Sequence, residues 1–129
     1  PLGHGHRLKL LHNYVSIGFM TLLAEAAAQS ANAGVDPQIF VDVLAAGGGA
    51  SVALDRLAPY ILHSDREGLP FFVENAQKDI DYYRDMATAS GAQNAIADGV
   101  AKAIATAVDA GEGQAYVPEL VRIFRGAKG

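Results

Sequence analysis

Cysteine is absent from all 129 residues. Disulfides, thiolate nucleophiles and Cys-based zinc sites are therefore excluded. A chain without cysteine suits the cytoplasm. Positive charge is also scarce. Ten Lys and Arg stand against 14 Asp and Glu, for a formal net charge of −4. That balance argues against a nucleic-acid partner, because no basic patch of useful size forms. The late cluster Arg122, Arg125 and Lys128 reads as a solvated helix end and tail. Alternating β-branched patterns are nearly missing, so strands are not expected. No initiator Met, signal peptide or transit peptide opens the chain. Beginning Pro1-Leu2-Gly3, it reads as a piece of a longer protein. No membrane partner is expected either. Leu10 to Ala24 lacks Asp, Glu, Lys and Arg, but a spanning helix needs ~20 predominantly apolar residues. That run also carries His12, Asn13, Ser16 and Thr21. Finally, no Gly-x-Gly-x-x-Gly follows a predicted strand, so no dinucleotide fingerprint is present. Gly47-Gly48-Gly49 and Gly111-x-Gly113 read as helix stops.

What is there is helical. Half of the residues are hydrophobic and 19% are charged, which fits one globular core. A Gly-rich lead-in at residues 1–5 precedes a long first helix, predicted from about Arg7 to Ala33. Leu11, Val15, Gly18, Leu22 and Ala26 share one face of it. Lys9, Asn13, Ile17, Met20 and Ala24 share another. A helix apolar nearly all round requires other helices about it. Gly34 ends it. Asp36 then caps a second helix with Pro37 at its first position. Val35 and Phe40 staple its entry, and Ile39, Phe40, Val43 and Leu44 form its buried stripe. Ser51 caps a short third helix through Leu54, Leu57 and Ala58, which Pro59 disturbs. A polar loop, His63 to Gly68, leads to a fourth helix from about Phe71 to Ser90. Phe72, Ala76, Ile80, Tyr83 and Ala87 are its inner stripe. A fifth uses Ile96, Val100, Ile104 and Val108. A short sixth starts at Pro118 and buries Leu120, Val121 and Phe124, with residues 125–129 frayed. The expectation is one all-α domain over residues 1–129, a helical bundle around a long apolar first helix.

The constellation best suited to chemistry is Gly3-x-Gly5-x-x-x-Lys9-x-x-His12-Asn13. Lys9 and Asn13 are four apart and share a face. The glycines permit close approach of a substrate or cofactor. A lysine heading an apolar helix is partly desolvated, which disfavours its charged form and prepares it for acid/base work. Spacing alone leaves a plainer alternative: Lys9 snorkels at the surface and Asn13 is a polar residue near a helix end.

This motif resembles the 3-hydroxyisobutyrate dehydrogenase family within the wider β-hydroxyacid dehydrogenase group. The resemblance continues in Gln77-Lys78-Asp79-Ile80, similar to the family's Lys-Asp-Leu helix, and in Gly111-Glu112-Gly113 with Tyr116 to Ile123. It implies a fold like the C-terminal domain of 6-phosphogluconate dehydrogenase, serving as substrate and dimerisation domain. It implies that Lys9 is the catalytic acid/base and that Asn13 binds and orients the same substrate oxygen. Lys78 would lie against the nicotinamide end of NAD or NADP and the substrate, and Phe72 would help wall the cofactor pocket. Gly5, His12 and Asn13 would contact a small hydroxyacid or its semialdehyde, of 3-hydroxyisobutyrate or tartronate semialdehyde type. Most of the cofactor would be held by the chain's own N-terminal Rossmann domain, which this sequence lacks. A homo-oligomer is the expected assembly, and the domain alone is expected to be inactive.

His12 departs from the family, where Asn-Asn is usual. Lys-x-x-His-Asn is the 6-phosphogluconate dehydrogenase pattern, yet Ser16 stands where those enzymes carry a catalytic Glu. His12 therefore reads as a substrate contact with altered selectivity, or as a polar helix-head residue. Lys78 also suits a surface ion pair with Glu74 or Asp81. His4 and His6 lack further ligands at metal-like spacing, so no metal is expected. The competing function is a non-catalytic helical dimerisation or interaction module.

Overall fold

The computed structural model of the chain describes residues 2–126, with side chains from residue 5 onward. Six α-helices run in the order α1 (Leu2–Asn32), α2 (Pro37–Ala45), α3 (Val52–His63), α4 (Val73–Ser90), α5 (Ala95–Ala107) and α6 (Leu120–Phe124). Among the described residues there is no strand, only one isolated antiparallel bridge between Phe72 and Tyr116. No helix there is long and apolar enough to cross a membrane.

α1 is the spine of the bundle, packed against α3, α4, α5 and α6. It starts earlier than its sequence suggests. Gly3 and Gly5 lie inside it, whereas a Gly-rich lead-in was the expectation. A helical glycine costs only about 1 kcal/mol relative to Ala, which continuity with the long helix offsets. Pro1 and the His4 side chain lie outside the described residues. The two faces of α1 have different fates. Ile17, Met20 and Ala24 are buried, and Asn13 is half-buried among them. Leu11, Val15 and Leu22 stay exposed at 43%, 48% and 66%, joined by Leu8 and Phe19. The helix is therefore not surrounded: one apolar stripe has no cover among the described residues.

The start of α2 follows its sequence. Asp36 accepts hydrogen bonds from the Gln38 and Ile39 N–H groups at 2.8 and 3.3 Å. Its stripe is rotated from the expected one. Val41 is buried, while Ile39 and Val43 are exposed. Ser51 caps α3 by accepting from Leu54 N–H at 3.0 Å. α3 then runs through Pro59, which does not break it. Ser64, at φ 57°, and Asp65 close its end with N–H bonds to Tyr60 and Pro59 carbonyls. The helix survives because Leu54 and Leu57 on its inner side are at 2% and 0% exposure.

α5 shows the same phase shift. Ala97, Ala101 and Ile104 are buried, and Ile96 is 75% exposed. α5 packs against α4 and α1, with mostly small residues among its buried positions. In α4, Ala76, Ile80 and Ala87 are buried, while Phe72 and Tyr83 are only partly covered. α6 buries Leu120 and Val121. The basic cluster near it is a clamp and not a free surface. Arg122 pairs with Glu112 and Glu119 at 2.6 and 3.1 Å. Arg125 and Asn32 exchange two hydrogen bonds, at 2.9 and 3.1 Å, so residues 125 and 126 are tied down. Lys128 and the rest of 127–129 lie outside the described residues.

Candidate functional site

The Lys9 and Asn13 face of α1 meets α4 at Asp79. Asn13 Nδ2 donates to Asp79 Oδ2 at 3.4 Å across the helix–helix seam. An Asn amide nitrogen carries two hydrogens, and only one is used there. On the other side, His12 Nδ1 lies 3.4 Å from Asn13 Oδ1, a bond that requires the imidazole proton on Nδ1. The Asn13 amide is thus oriented from both ends.

Asp79 is the residue that sequence reasoning passed over. It appeared inside the Gln77-Lys78-Asp79-Ile80 match but received no role. The signal was available. Asp79 is three residues after the buried Ala76 and four before Tyr83, so it lies on the inner edge of α4. Burial pushes its carboxyl above the usual range, and the nearby Lys9 ammonium opposes that rise. Lys9 and Asp79 therefore sense each other electrostatically across the seam. Lys9 itself is exposed, so the described residues do not provide the desolvation expected at this helix head.

A carboxyl whose folded value is raised stabilises the fold in its protonated form. That contribution is present at acid pH and is lost as pH rises through the raised value. At neutral pH the half-buried charge is a cost. Asp79→Asn keeps an oxygen for Asn13 and removes the charge. The variant is expected to melt above the wild type at pH 7. The two melting curves should converge as pH falls below about 4. Thermal melts over that range check the sign, and a variant that melts lower at pH 7 refutes it.

Asn13, His12 and Asp79 line a cavity of about 490 Å³ that runs between α1, α3 and α4. Its remaining walls include Val15, Phe19, Met20, Val52, Arg56 and Phe71. Lys9 and Lys78 are exposed and lie outside this lining, as do Phe72 and Gly5. Among the described residues Lys78 forms no ion pair. Asp81 is taken by Arg84 at 3.2 Å.

Phe72 sits at the head of α4, half-exposed, with its ring 5.5 Å from that of Tyr116. The Arg66 guanidinium covers the Tyr116 ring at 4.4 Å. The first N–H groups of α4 are already spent. Val73 donates to Ala115 and Glu74 to Gly113, each at 2.9 Å. A dinucleotide's phosphates therefore find no cradle at this helix start. Among the described residues no group of three His, Asp or Glu could hold a metal ion.

Comparison with known proteins defines the class first. The fold is that of part of a hydroxyacid dehydrogenase. The 3-hydroxyisobutyrate dehydrogenase of Salmonella typhimurium matches with a TM-score of 0.77 at 22% identity, over 90% of this chain and 40% of that one. This chain thus spans well under half of that relative's length. A search of curated proteins finds no match. The family model described as NAD-binding of NADP-dependent 3-hydroxyisobutyrate dehydrogenase matches residues 3–124. The chain belongs to that family.

Proposed function

We propose that this domain is the acid/base half of an NAD(P)-dependent β-hydroxyacid dehydrogenase working in the cytoplasm. The observation that carries the reading is the Asn13–Asp79 hydrogen bond in the lining of a cavity, with Lys9 within electrostatic reach of Asp79. Bound nicotinamide supplies or accepts the hydride. In reduction, Lys9 gives its proton to the carbonyl oxygen, and the semialdehyde becomes a hydroxyacid. In oxidation, Lys9 takes the hydroxyl proton. Asn13 donates its second amide N–H to the same oxygen. Asp79 is a positioning residue: it accepts the hydrogen bond that orients the Asn13 amide, and its carboxylate attracts the Lys9 ammonium. Phe72 and Lys78 flank the nicotinamide, and Gly5 and His12 meet the rest of the substrate. The phosphates of NAD or NADP belong to a Rossmann domain N-terminal to this one.

The test is a turnover assay of the full-length protein, run in both directions with NAD and NADP against short β-hydroxyacids and their semialdehydes. Cofactor reduction by at least one hydroxyacid is expected, and none from residues 1–129 alone. Silence of the full-length protein with every pair and both cofactors would sink the reading.

A second reading, an interaction module without catalysis, draws on the exposed stripe of Leu8, Leu11, Val15 and Leu22. That stripe also suits a homo-oligomer of an active enzyme. The same assay separates the module from the enzyme.

A further inference from the structure

We propose that the domain holds a second ligand site, at the end of the bundle remote from Asn13, which takes a small carboxylate with a short hydrocarbon body. This inference stands apart from the dehydrogenase reading and involves no hydride chemistry. Three observations support it.

The first is a separate cavity. About 230 Å³ lies where the ends of α1, α3 and α6 meet the start of α2. It shares no lining residue with the cavity at Asn13. Ser30, in its wall, lies roughly 25 Å along α1 from Asn13. The volume falls short of the ~300–1,000 Å³ of drug-sized sites, so a smaller occupant fits.

The second is unspent hydrogen-bonding capacity. The carbonyl ends of α1 and α3 favour cations here, and two arginines line the cavity. Arg122 is answered by Glu112 and Glu119. Arg125 is half-buried and has no carboxylate partner among the described residues. Its Nε donates to neutral Asn32 at 2.9 Å, which fixes the guanidinium and leaves its outer N–H groups unspent among the described residues. The Ser30 and Ser64 hydroxyls in the same wall also make no hydrogen bond among the described residues. Burial pushes the Tyr60 phenol up, so at neutral pH it keeps its proton beside them. A planar guanidinium fork with hydroxyls around it is a donor set that suits a carboxylate.

The third is the rest of the wall. Ala27 and Val121 are buried there, and Phe40 and Ile61 are half-buried. An inorganic anion leaves these side chains uncovered. A carboxylate with an alkyl or aryl body covers them and gains burial.

The experiment is a calorimetric titration of the full-length protein with benzoate and with isovalerate. Benzyl alcohol lacks the charge and acetate lacks the body, and each should bind about tenfold more weakly or worse. Arg125→Gln should weaken both acids by about tenfold or more. Ser30→Ala combined with Ser64→Gly removes both hydroxyls where the backbone favours the change, since Ser30 is helical and Ser64 has φ 57°. That pair should weaken binding by about fivefold with the fold intact, and it decides the matter if Arg125→Gln does not fold. Asn13→Ala should leave the affinity unchanged. Absence of binding by both acids overturns the inference. So does binding that neither the Arg125 nor the serine variant weakens, or that Asn13→Ala weakens as much as they do. The dehydrogenase reading survives each of these results, because the turnover assay tests it separately.

Discussion

Lys9→Ala in the full-length protein should lower kcat by about 10²–10⁴-fold. Removing a proton donor that acts only as charge develops lowers kcat and kcat/KM together. Cofactor affinity should stay within about twofold, because Lys9 is not among the groups assigned to the nicotinamide flank. Melting temperature should hardly move, since Lys9 is exposed and makes no hydrogen bond or ion pair among the described residues. That separation makes the variant informative, because lost activity cannot be blamed on lost folding. Lys9→Arg keeps the charge near Asp79 but cannot release a proton at working pH. It should be nearly as slow as the alanine variant. Turnover of Lys9→Ala within a few fold of wild type would remove Lys9 from the chemistry.

The second large effect concerns Gly68, at the end of the 3-10 turn Arg66–Gly68. A Cβ there would sit 2.3 Å from the Arg56 carbonyl oxygen and 3.6 Å from the Pro59 ring. The blocking atom is helix backbone, which cannot rotate away as a side chain tip does. Either the loop or α3 must move, and α3 carries Val52, Ala53 and Arg56 into the cavity wall. Gly68→Ala is expected to cost about 2–3 kcal/mol, a fall in Tm on the order of 10 °C. Gly99 in α5 gives the opposite sign. A Cβ there meets nothing within 4 Å, so Gly99→Ala should stabilise by about 0.5–1 kcal/mol. Calorimetry on both variants checks the pair. A Gly68→Ala variant that melts with the wild type would show that the loop yields freely.

The sequence made some of this architecture legible. Caps were readable because Asp36-Pro37 and Ser51 carry their own local chemistry, and both act as expected. Helix number was readable from period. Phase was not, and α5 shows why. Large residues such as Ile96 attract a burial assignment, yet the buried positions of α5 are Ala97, Ala101, Ile104 and Ala107. Close approach of two helices rewards small side chains, and the sequence does not show which helices approach. α1 poses the same problem in sharper form. Its two apolar faces look equally suited to burial, and only neighbours decide between them. In the site, Asn13 was visible through spacing, but its partner on α4 lies 66 residues away. Gly68 was visible only as part of a polar loop, because the obstacle it avoids belongs to another segment.

Tyr14 and Tyr83 stack with ring centroids 3.9 Å apart and planes within 7°. They join α1 to α4 one residue beyond Asn13 and four beyond Asp79. The chain has no tryptophan and five tyrosines. Its near-ultraviolet absorption and emission therefore come chiefly from phenols, with nothing brighter to mask them. Two rings this close and nearly parallel couple their transitions, and the coupling fades steeply with separation. The molecule thus carries an intrinsic optical reporter at the joint beside its candidate site, readable without any added label.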